Sequence, residues 1–149
     1  MTHSSFGDFF PDIAQKETRV ITVIDQATTG LPPGEYGFID LYCTDPECDC
    51  RNVYIQVVSK KHPSPLATIC YGWESLAYYK KWMGISDDKI LVEFKGPALA
   101  MSGIQSQYAG QLLSIFKQFI QTDKEYAARL QRHYRLVKNF IKNKNSPRT

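Results

Sequence analysis

The sequence predicts an α+β domain: a mostly antiparallel sheet that carries a zinc knuckle and packs against helices from the C-terminal third. Three observations support this fold class. Segments rich in β-branched and aromatic residues follow one another at short separations through the first half of the chain. The last third carries apolar residues at helical spacing. Between two of the β-rich segments, three cysteines lie within the stretch 43–50.

The domain organisation follows from length and composition. The chain has 149 residues, of which 43% are hydrophobic and 13% aromatic, enough for one domain with its own core. We expect three parts: a flexible N-terminal arm over 1–17, a single zinc-stabilised domain over 18–142, and a disordered basic tail over 143–149. Three phenylalanines are expected to pin the arm onto the body: Phe6, Phe9 and Phe10.

Strands are expected where β-branched residues run together between turn-forming residues. The first runs from Arg19 to Ile24 and is stopped by the turn Gly30-Leu31-Pro32-Pro33-Gly34, and the second runs from about Glu35 to Tyr42 and ends directly in Cys43. The same composition predicts three more strands, at 53–58, 66–71 and 90–94, the last ended by Gly96-Pro97.

Helices are expected at three places. Trp73 to Met83 has helical spacing and Gly84 as a C-terminal stop. A second helix is indicated by one apolar stripe at 108–120. The segment Thr122-Asp123-Lys124-Glu125 has the form of a capping box, so we expect the chain to break near Thr122 and begin a last helix.

The three clustered cysteines indicate a metal site. Asp45-Pro46 favours a turn that reverses the chain between Cys43 and Cys48, and Cys50 follows two residues later. Thiolates are soft donors that suit zinc at about 2.3 Å. Residues 1–11 lack a signal-peptide pattern, and no stretch approaches the ~18 apolar residues of a membrane span. We therefore expect a cytoplasmic protein without a membrane partner, where clustered cysteines favour metal over disulfides.

A fourth ligand is needed to complete a tetrahedron. On the last predicted helix one apolar face includes His133: Tyr126, Leu130, His133, Val137, Phe140 and Ile141. An imidazole that points inward either bonds to a buried acceptor or binds a metal. His133 is therefore the preferred fourth ligand. Cys70, which lies in an apolar strand, is the main alternative, followed by water and Asp49.

Several motifs in order resemble an uncharacterised prokaryotic family, some members of which carry a SEC-C zinc motif. The motifs span roughly residues 35–142 and read Tyr42-Cys43-Thr44-Asp45-Pro46-Glu47-Cys48-Asp49-Cys50-Arg51, Tyr71-Gly72-Trp73-Glu74, Gly96-Pro97-Ala98-Leu99 and Arg132-His133-Tyr134. The resemblance implies a zinc-binding domain with no assigned activity. No cysteine follows Cys70, so this chain lacks the SEC-C tail.

These observations favour a binding or adaptor domain with a protein partner and a structural zinc, rather than an enzyme. No Gly-rich phosphate loop, nucleophile elbow or His-Glu-x-x-His pair occurs in the sequence. The alternative is a zinc-dependent hydrolase, which requires an open coordination position and a general base. A further alternative is a weak nucleic-acid-binding module, for which the last helix offers five candidate anion-binding residues: Arg129, Arg132, Arg135, Lys138 and Lys142.

Overall fold

The structure is a computed structural model that describes residues 2–145, and it confirms the α+β class. Its strands are β1 (His3–Ser5), β2 (Arg19–Val23), β3 (Gly34–Cys43), β4 (Asn52–Val58), β5 (Ala67–Gly72) and β6 (Ala98–Leu99). Its helices are α1 (Phe6–Phe9), α2 (Pro11–Glu17), α3 (Gln26–Thr29), α4 (Leu76–Met83), α5 (Asp88–Lys95), α6 (Ala109–Thr122) and α7 (Lys124–Asn145).

All strand pairs of the described residues are antiparallel, and β3 lies at the centre of the pairing. The main order is β1-β3-β4-β5-β6. Because β4 occupies one edge of β3, both β1 and β2 lie along its other edge. β2 pairs with the first half of β3, where Arg19 lies opposite Phe38, and β1 pairs with the end, where His3 lies opposite Cys43.

One face of the sheet is covered by α6 and α7 and forms the core. Alternate residues of β3 point into this core and are at most 4% exposed: Tyr36, Phe38, Asp40 and Tyr42. Aromatic rings join sheet to helix, with the centroids of Phe38 and Phe119 5.3 Å apart and those of Tyr71 and Phe116 5.9 Å apart. Complete burial of a ring such as Phe116 contributes about 1.5–3 kcal/mol, so this face stabilises the fold without help from a metal.

The segment expected to be a flexible arm contains β1 and two short helices, α1 and α2. Phe6 is fully buried, and its ring stacks on His133 with centroids 3.7 Å apart. Phe9 and Phe10 both contact Phe140 of α7. The phenylalanines therefore dock on the body as expected. The sequence did not indicate β1, α1 or α2, because each of them is shorter than two full helical turns and its apolar residues show no steady period.

The strand expected at 90–94 is wrong, because this segment lies within helix α5. The Asp87 side chain caps the helix, with its Oδ1 accepting from the backbone N–H groups of Lys89 and Ile90 at 3.0 and 3.4 Å. Leu91 is buried, whereas Val92 is 56% exposed. The apolar composition of 90–94 is typical of a strand. The Asp87 carboxylate, however, accepts hydrogen bonds from backbone N–H groups at the start of a helix, which have no partner within the helix itself. Gly96-Pro97 ends the element as expected.

The other strand predictions are confirmed to within one residue by β2, β3, β4 and β5. Helix α4 begins at Leu76 rather than Trp73, because the Ser75 hydroxyl accepts from the N–H of Tyr78 at 3.1 Å. The break before α7 is also confirmed, but its cap is Asp123, whose carboxylate accepts from the N–H of Tyr126 at 3.0 Å. The predicted tail begins inside α7, and 146–149 lie outside the described residues. Over the described part of the chain, no helix combines the length and apolarity needed to cross a membrane.

Candidate metal centre

The cysteine cluster lies in the turn that joins the two central strands. β3 ends at Cys43 and β4 begins at Asn52, so residues 44–51, which we call the knuckle loop, connect them. The Asp45 carboxylate accepts from the N–H of Glu47 at 2.9 Å, and its carbonyl accepts from the N–H of Cys48 at 3.2 Å. These two bonds form the chain reversal that Asp45-Pro46 predicts, and they return the chain toward the end of β3.

The knuckle loop brings three sulfur atoms together. The Sγ atoms of Cys43, Cys48 and Cys50 all lie within 4.8 Å of one another, and this is the only such metal-ligand group among residues 2–145. Cys43 and Cys50 are buried, whereas Cys48 is partly exposed, and none forms a disulfide. In a tetrahedral site with Zn–S bonds of 2.3 Å the sulfurs are about 3.8 Å apart, so a small contraction produces zinc geometry.

The electrostatics of the cluster favour a bound cation. Burial, together with the neighbouring sulfurs, raises the pKa of the Cys50 thiol to about 12, and burial followed by the hydrogen bond that the Cys48 thiol donates to Cys43 raises the pKa of Cys48. Three thiolates so close together repel one another in a poorly solvated space. A divalent cation removes this penalty, because it stabilises each thiolate directly. The arrangement therefore suits a thiolate-bound metal ion.

Helix α7 holds the knuckle loop from one side. Lys138 is 6% exposed, and its ammonium donates to the carbonyl of Asp45 at 2.8 Å. One helical turn earlier, the Tyr134 hydroxyl accepts from the N–H of Arg51 at 3.2 Å. The same tyrosine ring packs edge-on against Trp73, with centroids 5.1 Å apart. The last helix therefore contacts both ends of the loop through side chains that lie one turn apart.

Helix α4 holds the loop from the other side. The Tyr78 hydroxyl donates to the carbonyl of Asp49 at 2.6 Å, and the Tyr79 hydroxyl donates to the carbonyl of Arg51 at 2.6 Å. Arg51 has a φ of 46°, a left-handed conformation that is rare for a residue with a side chain. Its guanidinium forms a two-pronged ion pair with Asp49 and lies 3.6 Å from Glu74. These contacts fix the strained residue between Cys50 and β4.

The structure places His133 in a different network. Its Nδ1 lies 2.7 Å from the carboxylate of Asp40, and its Nε2 lies 2.7 Å from the carboxylate of Glu17. His133 points inward, as its place on the apolar stripe predicts, but both ring nitrogens have acidic partners, and it is not a member of the three-thiol group. The preferred fourth ligand is therefore not brought to the sulfurs.

The alternative ligands also have other surroundings. Cys70 is buried in β5, with its Sγ 3.1 Å from the carbonyl of Phe94 and 3.5 Å from Asn52 Oδ1, and burial raises its pKa to about 12. It behaves as a packed apolar residue. Asp49 is held by Arg51, whose hydrogen bond lowers the pKa of that carboxyl. Neither belongs to the sulfur group.

The five basic residues of α7 line two neighbouring clefts of about 420 and 410 Å³ that share Arg135. Arg129, Arg132 and Lys138 bind to other parts of the protein. Arg129 donates to the carbonyl of Glu17 at 2.9 Å, and Arg132 forms an ion pair with the Glu17 carboxylate at 3.0 Å. Lys138 is bound to the knuckle loop. These basic side chains therefore hold α2 and the knuckle loop in place. Lys142 lines the same cleft as Cys48.

Sequence reasoning missed several residues of this region. The hydroxyls of Tyr78 and Tyr79 both donate to carbonyls of the knuckle loop. Two consecutive tyrosines within a predicted helix do not by themselves indicate such contacts. Asp40, which contacts His133, lies within a predicted strand and was not recognised as a functional residue. An acidic residue at an inward-facing strand position does indicate that it has a buried partner. Glu17, which lies beside His133, was missed because the N-terminal segment shows no periodicity.

Comparison with models of known protein families, with curated proteins and with solved structures finds no significant match. The likeness to a prokaryotic zinc family therefore rests on the sequence motifs alone. The cysteine cluster is independent of it, since the three sulfurs are close together in the structure itself.

Proposed function

We propose that the chain is a binding or adaptor domain stabilised by one structural zinc ion, which Cys43, Cys48 and Cys50 hold. The observation that carries the proposal is the set of three sulfurs within 4.8 Å of one another in a turn of eight residues. Three thiolates on a soft, divalent ion match the donor set of structural zinc sites. The resemblance of the knuckle motif to a zinc-binding family agrees with this donor set.

A structural role is supported by how firmly the knuckle loop is held. Side chains from α4 and α7 bond to the carbonyls of Asp45, Asp49 and Arg51, so the loop is fixed on both sides of the sulfurs. A hydrolytic zinc requires a base beside an open position. The carboxylates of Asp49 and Glu74 instead both lie against the Arg51 guanidinium, Glu74 at 3.6 Å. The geometry supports a site that links elements rather than one that activates water.

Metal analysis of the purified chain tests the proposal. Protein prepared under reducing conditions without chelator is expected to contain about one equivalent of zinc. Cys48→Ser should lower this content strongly, whereas the matched control Cys70→Ser should retain it, because Cys70 is a packed thiol outside the cluster. Reduced, folded wild-type protein with well under half an equivalent of zinc would show that the cluster is not a zinc site.

A further inference from the structure

We propose that His3 supplies the fourth ligand of the metal held by the three thiolates, so that strand β1 closes the site. This inference rests on the proposed zinc function and adds a ligand that the sequence did not indicate. It joins the first strand of the chain to the turn between its two central strands.

The first support is the register of the sheet. His3 lies directly opposite Cys43 in the antiparallel pair of β1 and β3. Residues directly opposite one another project from the same face, with Cβ atoms about 4.5–5.5 Å apart. The register is fixed on both sides of the pair, by Ser5 opposite Leu41 and by the N–H of Thr44, which donates to the carbonyl of Thr2 at 3.0 Å. A metal at Cys43 therefore lies within the reach of one histidine side chain.

The second support is a shared cavity. His3 and Cys50 line the same cavity of about 220 Å³, together with Asn52, Tyr54, Phe94 and Ser102. His3 is thus adjacent to two of the three cysteines, through the register and through this cavity. Its nitrogens lie outside the group of ligand atoms within 4.8 Å of one another. Binding requires the ring to rotate from its stacked position on Tyr54 toward the sulfurs.

The third support is the chemistry of the ring. Among residues 2–145 the His3 nitrogens have no hydrogen-bond partner, in contrast to both nitrogens of His133. The ring stacks on Tyr54 with centroids 4.5 Å apart. An imidazole nitrogen is a common zinc ligand, so a ring without a competing partner can supply the fourth donor.

The ligand set can be read from cobalt(II), which reports the identity of tetrahedral ligands in its absorption spectrum. The full chain, with any purification tag at the C-terminus, is loaded with cobalt(II) and with zinc(II). For a set of three sulfurs and one nitrogen, His3→Ala should shift the ligand-field bands and weaken zinc binding about tenfold or more. His3→Cys should restore the affinity and add thiolate-to-cobalt charge transfer. The control His62→Ala should change neither.

The possible outcomes separate the two proposals. If His3→Ala leaves the spectrum and the zinc affinity unchanged, or if folded His3→Cys adds no thiolate band, His3 is not a ligand and the three-thiolate site remains. If His133→Ala changes the spectrum and His3→Ala does not, the fourth ligand is His133. If the wild-type chain binds neither metal, the proposed function itself fails. A His3→Ala chain that does not fold leaves the decision to His3→Cys, which retains a metal-binding side chain.

Discussion

His133 shows, at the scale of single residues, how a buried imidazole can serve structure rather than metal binding. It is 1% exposed and lies 2.7 Å from a carboxylate oxygen on each side. The ring therefore bridges the carboxylates of Asp40 and Glu17. The hydroxyl of Tyr42 also lies 2.8 Å from Asp40. This chain of hydrogen bonds ties α2 and β3 to the last helix.

The first prediction concerns Glu17 at one end of this chain. The hydrogen bond from His133 lowers the pKa of Glu17 below its ordinary value of 4.5, with a smaller contribution from Arg132. A group whose folded pKa is lowered stabilises the fold above its unfolded pKa and loses that effect as the pH falls through the folded value. Glu17→Gln should therefore reduce the free energy of unfolding by about 1–2 kcal/mol at pH 7. The difference should shrink below about pH 4.5.

Urea unfolding of both proteins at pH 7 and below pH 4 measures this difference. Loss of metal in acid affects wild type and variant alike, so it cancels in the comparison. The control Glu35→Gln changes an exposed acid of β3 and should have little effect at either pH. A destabilisation by Glu17→Gln that persists undiminished in acid would contradict the role assigned to the carboxylate.

At the scale of elements, α4 stabilises the knuckle loop through two adjacent tyrosines in different surroundings. The Tyr79 hydroxyl is buried against the Arg51 carbonyl, whereas the bond from Tyr78 to Asp49 is exposed to solvent. Gly72 is required beside this contact, because a Cβ there would overlap the Tyr79 side chain. The close approach of β5 and α4 therefore depends on one position without a side chain.

The second prediction follows from that difference. Tyr79→Phe leaves a buried carbonyl without its donor and should reduce stability by about 1–3 kcal/mol. The matched change Tyr78→Phe should cost less, because water can replace the hydroxyl at an exposed site. Thermal or chemical unfolding of the two variants gives the ranking. Equal losses of stability in the two variants would show that burial of the tyrosine hydroxyl does not determine how strongly its hydrogen bond stabilises the knuckle loop.

Sequence reasoning succeeded where one local signal dominated. The strands β2 to β5 were predictable from runs of β-branched residues between turns, and the cysteine turn from Asp45-Pro46. It failed at α5, where the Asp87 cap outweighs an apolar composition, and it did not indicate the acidic partners of His133, which are 93 and 116 residues away in sequence. Periodicity reports which way a side chain points. It contains no information on which distant side chain lies opposite.

At the scale of the whole molecule, the cysteine cluster lies at the end of a larger core, to which Cys43 and Cys50 also belong. The side chains between sheet and helices, such as Ile55 and Leu112, are fully buried on the helix-covered side. The cysteines lie at one end of the β3–β4 hairpin. A domain of this size can bury enough apolar surface to fold on its own. We therefore expect a bound metal to add local order to a fold that already has a core.

The third prediction concerns metal removal. Chelation under reducing conditions should raise hydrogen exchange in residues 44–51 and lower the melting temperature, while amides in the centres of β4, β5 and α6 stay protected. The reason is that the knuckle loop would lose its cross-link, whereas contacts between the sheet and α6, such as that of Tyr71 with Phe116, would remain. Exchange measured with and without zinc tests this expectation. Complete loss of protection throughout the chain would show that the core is insufficient by itself.

The fourth prediction concerns nucleic acid. Arg129, Arg132 and Lys138 already contact Glu17 and Asp45, and a helix presents only part of its surface to one partner, so we expect about two charges of α7 to meet phosphates together. The logarithm of the affinity for duplex DNA should then fall with the logarithm of salt concentration at a slope of about −2, with little sequence preference. Anisotropy of labelled oligonucleotides measures this slope. Arg135→Glu should weaken binding, whereas Lys89→Glu on α5 should not. A slope steeper than about −5 would indicate a dedicated nucleic-acid module.

The position of the cysteines at the turn of the central hairpin has a consequence for the order of folding. Cys43 and Cys50 are close in sequence, so an ion can join them at a small cost in loop-closure entropy, before distant segments meet. Once joined, they fix which residues of β3 and β4 face each other. A slip of one residue would turn Phe38 and its neighbours of β3 to the opposite face of the sheet. Stopped-flow refolding should therefore be faster with zinc than without it, and equal rates would contradict this expectation. In this scheme the ion aligns the hairpin onto which β1 and β5 later pair.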